Sequence, residues 1–421
     1  MKAAWRLLTG LVLIGFFYSS IFGGDTGNIK INPQITIQEE YNDNINLTSR
    51  AAKSDWISTI YPGIKFSGSD NTYGLNLDYK MGLLFFASGT DNNAVSHLGK
   101  VNGYYRFNPR WAFRIKEDFL RSTDTREVDP LLSAVENQSY YSSNQSRNPF
   151  LRNVLEPSLE YQFGKEDLVT LTYRNNIFQT QNPLSQNSQE NLVKVGITYW
   201  LDIRNGILGE YSFSKGTFER SADLQSQLTR FRYTHRFNPA TSLFGEYSFQ
   251  RNDSTTSGMN YTTHNPSFGV NHAFNQTLSG TAQVGYYWKN SDLGSNNNFS
   301  YQANLTQKEQ KTTYTFSFQG GFTQDLFSSQ NLGFTRFNRG LGRISHRILE
   351  RLTLSITGMI ERAEFDNNRT DWISGVTGST SYQILEWLTL SVEASHRENN
   401  STVDINSYIE NRAIFKMTAM Y

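Results

Sequence analysis

Residues 278–289 read LSGTAQVGYYWK and alternate without a break. Leu278, Gly280, Ala282, Val284, Tyr286 and Trp288 take one face, while Ser279, Thr281, Gln283, Gly285, Tyr287 and Lys289 take the other. A period of two held over this length marks a β-strand roughly twice the ~5–6 residues usual in soluble sheets. The pattern returns in TTYTFSFQGGF (312–322), with Tyr314, Phe316, Phe318 and Phe322 on one face. It returns again in LVKVGITYWL (192–201), with Val193, Val195, Ile197 and Tyr199 together. A helical period of 3.6 would not separate these residues. A chain of such strands has to bury or embed one greasy face along its whole length.

The connections also alternate. Short turns fall at 68–71, 108–110, 164–167, 202–205, 238–241, 275–277, 308–311, 349–351 and 385–387, several of them on Asn, Asp or Pro. Asn tolerates unusual backbone angles and Pro fixes φ without offering a ladder donor. Longer polar stretches lie between them, at 42–54, 122–152, 179–189, 252–261 and 290–297. Short connections on one side and long ones on the other predict an all-β fold: a transmembrane up-and-down antiparallel β-barrel of about 20 strands (18–22), with periplasmic turns and extracellular loops. The strands begin near Ile31 and finish at Tyr421, and an even number puts both termini in the periplasm. Closure follows from the solvent, since an open sheet edge in lipid strands backbone groups at several kcal/mol each. A secreted sandwich or propeller is the alternative, but it calls for shorter strands and no alternation of loop length.

Composition agrees. Aromatics make up 14% of the 421 residues, with 23 Tyr and 29 Phe, whereas the wider hydrophobic class reaches only 37%. That balance suits one-sided strands better than a soluble core. The absence of cysteine excludes disulfides, thiol catalysis and thiolate metal sites. A net charge of +1 gives no bulk attraction to nucleic acid.

The first residues, MKAAWRLLTGLVLIGFFYSSIFGGD, carry Lys2 and Arg6, an apolar run and then small residues. This three-part layout predicts a signal peptide over 1–24 cut near Gly23 or Gly24, then a short periplasmic segment (25–30) and the barrel (31–421). A membrane anchor is the competing reading, because the apolar run approaches the ~20 residues that span a bilayer.

The stretch QEEYNDNINLTSRAAKSDWISTIYPGIKFS (38–67) resembles the opening of a β-barrel porin family of outer-membrane proteins associated with exopolysaccharide and exosortase systems. Members tend to begin with an E-Y-x-D-N strand end and an S-D-x-I-x-x-x-x-P-G second strand. Here these are Glu40, Tyr41, Asp43 and Asn44, then Ser54, Asp55, Ile57, Pro62 and Gly63. The resemblance implies an outer-membrane barrel encoded beside polysaccharide genes, but no substrate or site residue. Asx-type turn chemistry is an equally good account of Asp43-Asn44.

With the aromatic face toward lipid, the other face lines a lumen. It carries Lys100, Arg106, Arg114, Lys116, Arg174, Lys194, Arg230, Arg232, Arg236, Lys289, Arg343, Arg347, Arg397 and Lys416. Fewer acids join them: Asp118, Glu156, Glu160, Glu210, Glu246, Glu361 and Glu393. Rings of Arg and Lys are how anion pores select, and Arg106, Arg114, Lys116, Arg230, Arg232, Arg236, Arg343 and Arg347 are the selectivity candidates. The competing account pairs these cations with inward acids as wall structure. Barrels of about 16–18 strands already hold an aqueous channel, so the lumen is too wide for wall side chains to fill. Loop 122–152 is long enough to fold inward as a constriction or outward as a cap.

The expected function is therefore an outer-membrane porin-like channel for small polar or anionic solutes, extending to acidic saccharides of exopolysaccharide export. The alternative is a non-conducting scaffold or adhesin. Catalysis is not expected: His97, His235, His264, His272, His346 and His396 lie on separate segments, without metal spacing or a serine elbow. No cofactor is expected. The expected partners are outer-membrane lipid, the barrel-assembly machinery, the solute and a periplasmic export partner, with no nucleic acid. Phe415, Met417 and Tyr421 on the last alternating strand resemble the C-terminal assembly signal of bacterial outer-membrane proteins. Deleting Tyr421 is expected to lower the folded fraction on unboiled denaturing gels while synthesis stays constant. Equal folded amounts would make that aromatic incidental.

Overall fold

The computed structural model describes residues 29–126, 147–183, 185–255, 260–292, 294–325, 333–366 and 368–421. The expected signal peptide, residues 25–28 and the centre of the long loop (127–146) lie outside the described residues.

Twenty strands follow one another: β1 (Lys30–Asn42), β2 (Asp55–Ser69), β3 (Tyr73–Phe86), β4 (Ala94–Arg106), β5 (Trp111–Ser122), β6 (Phe150–Gln162), β7 (Leu168–Thr180), β8 (Ser188–Trp200), β9 (Asn205–Phe218) and β10 (Leu224–Asn238), then β11 (Thr241–Ser254), β12 (Tyr261–Ala273), β13 (Leu278–Ser291), β14 (Gly294–Lys308), β15 (Thr312–Asp325), β16 (Gly333–Leu349), β17 (Leu352–Phe365), β18 (Thr370–Leu385), β19 (Leu388–Ser401) and β20 (Tyr408–Met420). Each pairs antiparallel with its sequence neighbours, and β1 pairs with β20, so the sheet closes into a barrel. The shortest strand has 12 residues and the longest 17. At ~3.3 Å per residue and a ~45° tilt, the shortest still spans about 28 Å, close to a bilayer's hydrocarbon thickness.

The short turns work as their residues suggest. Asn108 Oδ1 accepts the N–H groups of Arg110 and Trp111 at 2.9 and 3.0 Å, and Asn275 Oδ1 accepts those of Thr277 and Leu278 at 2.8 Å each. Asp202 caps Arg204 and Asn205 in the same way. Each is an Asx turn that satisfies backbone donors where the ladder ends. Residues 290–297 differ from expectation. The ladder of β13 and β14 runs on to Ser291↔Gly294, so this Asn- and Ser-rich stretch is mostly strand, reversed at Gly294 with φ +124°. Polar composition mimicked a loop there because the hairpin top rises clear of apolar neighbours.

The β1–β20 seam is fastened by side chains as well as by its ladder. Arg412 donates to Glu40 at 2.6 Å, Asn42 to Glu410 at 2.7 Å, and Asp43 accepts both the backbone and side-chain N–H of Asn411 at 2.7 and 2.6 Å. Asn44 accepts Thr48 N–H and donates to Ile409 O. Asp55 accepts the N–H groups of Trp56, Ser88 and Gly89, organising the loop after β3. Thus Glu40, Asp43, Asn44 and Asp55 of the opening motif build the wall. Arg412 is nearly buried beside the carboxylates of Glu40 and Asp124. Removing one partner of a buried pair costs about 3–5 kcal/mol. Arg412→Gln is therefore expected to reduce the heat-modifiable folded fraction strongly, while Arg251→Gln at an exposed pair leaves it unchanged. Equal folding of both variants would contradict the seam's role.

Candidate functional site

Cross-strand register settles facing. Outward come Ile35, Ile37, Phe231, Tyr233, Phe268, Val284, Phe316, Ile356 and Phe415, all exposed as a lipid-facing surface should be. Met417 and Tyr421 share that face. All six histidines also face outward, each with Nδ1 bonded to a nearby side chain: His97 to Tyr79, His235 to Asn205, His264 to Tyr247, His272 to Thr241, His346 to Thr312 and His396 to Asn411. No metal-type cluster occurs among the described residues.

The inner wall is charged and mostly paired. Arg114 meets Glu160 at 2.7 Å, Lys116 meets Asp118 at 3.5 Å, Arg230 meets Glu210 at 3.1 Å and Arg232 meets Glu246 at 2.7 Å. Arg236 meets Glu166 at 2.7 Å, with its guanidinium 3.4 Å from the Trp200 ring centroid. Arg106 and Arg347 donate to turn carbonyls, Asn71 O at 2.7 Å and Gln310 O at 3.0 Å. Seven of the eight candidates are therefore engaged with the wall or its turns, five through a carboxylate and two through a carbonyl, and only Arg343 has neither among the described residues. Arg339–Glu361, Arg174–Glu190 and Lys65–Asp78 extend the paired set.

Four inward cations of the mid-wall, Lys80, Lys194, Arg343 and Lys416, have neither a direct carboxylate nor a carbonyl partner among the described residues, and Lys30 and Lys308 are likewise unpaired at strand ends. Each of the four mid-wall cations sits between neutral cross-strand neighbours. Lys194 lies between Thr172 and Ser212, Arg343 between Thr315 and Thr357, Lys416 between Gln38 and Ser391, and Lys80 between Gly63 and Leu98. Among the described residues, Glu156 and Glu393 make no direct ion pair, although Glu156 stands opposite Lys116 in the ladder and Glu393 acts on Arg412 and Lys416 from nearby. Lys80, Arg339 and Arg412 escaped the sequence reading. Alternation through Leu77, Tyr79 and Met81 would have turned Lys80 inward.

The mouth at the long-loop rim is narrowed from two sides. On one, Ile45 packs with Ile57, Leu84 and Phe86 of the inner wall, so loop 43–54 folds inward. Both stems of loop 122–152 follow it. Arg126 reaches Glu410 at 2.6 Å and Ser395 at 3.4 Å, while the Arg147 guanidinium lies 4.9 Å from the Phe86 ring centroid. On the other side, the β14–β15 ladder stops at Tyr301↔Gly320 although both strands continue. Beyond Gly321, with φ +147°, the top of β15–β16 steps inside the wall. Phe322 and Phe334 then pack on Tyr287, which faces inward from β13. Alternation had placed Phe322 on the lipid face with Phe316 and Phe318. Its parity holds, but the step carries that face inside, so the hairpin overlaps the wall like a lap joint.

Described geometry makes the molecule a closed transmembrane-type β-barrel with a charged lumen and a constricted mouth. Residues 267–421, most of β12 through β20, match the family described as "Putative beta-barrel porin 2", which supports the porin class for that part of the chain. No curated protein matches the sequence. Among solved structures, the ferric enterobactin receptor PfeA of Pseudomonas aeruginosa is similar with TM-score 0.53 and 7% identity, over 94% of this chain and 82% of that one. The siderophore receptor PirA of the same organism gives 0.53 and 8%, over 93% and 80%. At these identities the likeness is one of fold.

Asp124, beyond the end of β5, reports on the loop stem. Burial opposes its ionisation, but Arg412, Arg147 and Arg126 outweigh that and hold its carboxyl at about 2. A depressed carboxyl stabilises the folded arrangement fully above its ordinary value of 3.8, and the contribution disappears as pH falls through the lower value. Single-channel conductance is expected to stay level from neutral pH down to about 4 and to rise below about 3 as the stem lets go. Arg126→Gln should raise it already at neutral pH. An unchanged conductance in that variant would place the stem outside the conducting path.

Proposed function

We propose that the protein is an outer-membrane porin-like channel for small polar or anionic solutes, with both chain ends and the short-turn rim in the periplasm and the long loops outside. The observation that carries this reading is the excess, among the described residues, of mid-wall cations without a direct ion pair (Lys80, Lys194, Arg343 and Lys416) over inward carboxylates without one (Glu156 and Glu393). The ion-paired wall contributes little net field, because each pair cancels itself within a few ångströms. Free cations in a low-dielectric wall raise local anion concentration, with an effect that fades as salt shortens the Debye length.

Acidic saccharides are the finer proposal. The basic lumen favours them, and the likeness of residues 38–67 to exopolysaccharide-linked barrels points the same way. An export machine docking on the periplasmic rim and delivery by the barrel-assembly machinery belong to the same proposal. The mouth's two-sided narrowing favours one second reading, a non-conducting scaffold whose loops bind a partner.

Planar-bilayer recordings under a KCl gradient separate these. The parent channel should prefer chloride. Gln at all four free positions should move the reversal potential to zero or past it. Removing a whole pair, Arg232→Gln with Glu246→Gln, should leave the potential unchanged. A cation-preferring parent would overturn the reading, and absence of conductance would favour the scaffold.

A further inference from the structure

The lap joint encloses a group of side chains whose chemistry is incomplete. The hydroxyls of Tyr261, Tyr287 and Thr263 and the Asn252 amide nitrogen are buried with no hydrogen-bond partner among the described residues. Tyr287 is 0% exposed and Tyr261 7%. Orphaned buried polar groups each cost about 1–3 kcal/mol, and natural proteins keep few of them. Four gather here, on the inner faces of β11, β12 and β13.

Aromatic rings surround them. Phe334 meets Tyr261 edge-on at 5.5 Å, and Phe322 meets Tyr287 at 4.7 Å. Lys289 threads between, its Nζ 4.2 Å from the Phe334 ring centroid and 5.0 Å from that of Tyr261. This ammonium is almost buried, 8% exposed, and its counter-ion is Asp366 at 2.7 Å, whose side chain is 55% exposed. Asp366 comes from the turn after β17, on the far side of the split seam. A fixed, enclosed cation facing a solvated, displaceable carboxylate is the arrangement of an anion subsite held by a stand-in.

We infer that the joint between the inner faces of β12–β13 and the inturned β15–β16 hairpin binds an acidic saccharide entering from the exposed Asp366 side, whose carboxylate takes the place of Asp366 at Lys289. The inference rests on the channel reading for its solute class and deepens it. Ring faces of Tyr261, Tyr287 and Phe334 suit the C–H faces of a sugar, and the orphaned hydroxyls and amide supply directed hydrogen bonds to its hydroxyls. A plain aromatic acid would satisfy the rings and Lys289 but leave the hydroxyls unmet. A neutral sugar would leave Lys289 with Asp366. The hairpin has a place to pivot, since the ladder to β14 ends at Gly320 and Gly321 takes a backbone conformation other residues rarely adopt.

Calorimetry on the detergent-purified full chain tests this without requiring conduction, using a glucuronate disaccharide, glucose and benzoate. The disaccharide should bind, with glucose and benzoate at least tenfold weaker. Lys289→Met should weaken the disaccharide roughly tenfold or more, since a charge-assisted bond is lost. Asp366→Asn should tighten it by removing the competitor. Tyr261→Phe with Tyr287→Phe should weaken it about fivefold while the heat-modifiable folded fraction stays at least as high, because orphaned hydroxyls contribute nothing to folding. Equal binding of glucose or benzoate, or indifference to both Lys289→Met and Asp366→Asn, would overturn the inference and leave the anion-selective channel standing. Loss of anion selectivity with disaccharide binding intact would instead overturn the channel reading alone.

Discussion

Every backbone N–H and C=O within lipid has to find a partner inside the protein, and that requirement orders the rest of this structure. It explains why β1 returns to β20 and why the seam carries so many side-chain bonds. The last pairing to form, between strands far apart in sequence, has the largest loop-closure entropy against it. Arg412, Glu40, Asp43, Asn42 and Glu410 add charge-assisted bonds there. The same rule shapes the strand prolines. Pro62, Pro157 and Pro266 all sit mid-strand, and at each the recorded register skips on one side while the ladder holds elsewhere.

Closure with strict alternation then divides the side chains between two solvents. Apolar residues take most of the outer face and most of the mid-wall charge turns to the lumen, while outward charges such as Arg251–Asp253 and Arg362–Glu364 stand near strand ends. Most lumen cations cancel against acids on adjacent strands, which stabilises the wall and removes them from the field a solute feels. Field belongs to the few whose neighbours are Thr, Ser, Gln or Gly. Position across strands, rather than charge count, decides which cations act. At the mouth the logic reverses: loop stems and one hairpin spend their charges and rings on anchoring themselves inside the barrel, narrowing a lumen that a twenty-strand circumference would otherwise leave wide.

Much of the wall was legible in the sequence because it follows from a period of two. The alternation in 278–289 and the Asn-based turns mark strand positions directly, and the inward cations from Lys100 to Lys416 emerge from parity alone. Which of those cations are paired was not legible, since Arg232 meets Glu246 only through the register of β10 on β11. The mouth was hidden for a different reason. Phe322 obeys the alternation of β15, yet the wall steps inward at Gly321, and a local period carries no information about where a sheet splits. Residues 290–297 misled in the opposite direction, being polar strand in place of loop.

The central claim is a water-filled lumen whose free cations favour anions, enclosed by a wall whose other face is lipid. Because the chain lacks cysteine, single cysteines report cleanly. The most direct measurement places one at inward, half-buried Thr315, beside Arg343, and one at outward Phe316, then compares negatively and positively charged methanethiosulfonate reagents on the membrane-embedded protein. The account predicts that Thr315→Cys reacts, faster with the negative reagent, and that Phe316→Cys reacts with neither. Labelling at Phe316→Cys, or faster labelling of Thr315→Cys by the positive reagent, would contradict it.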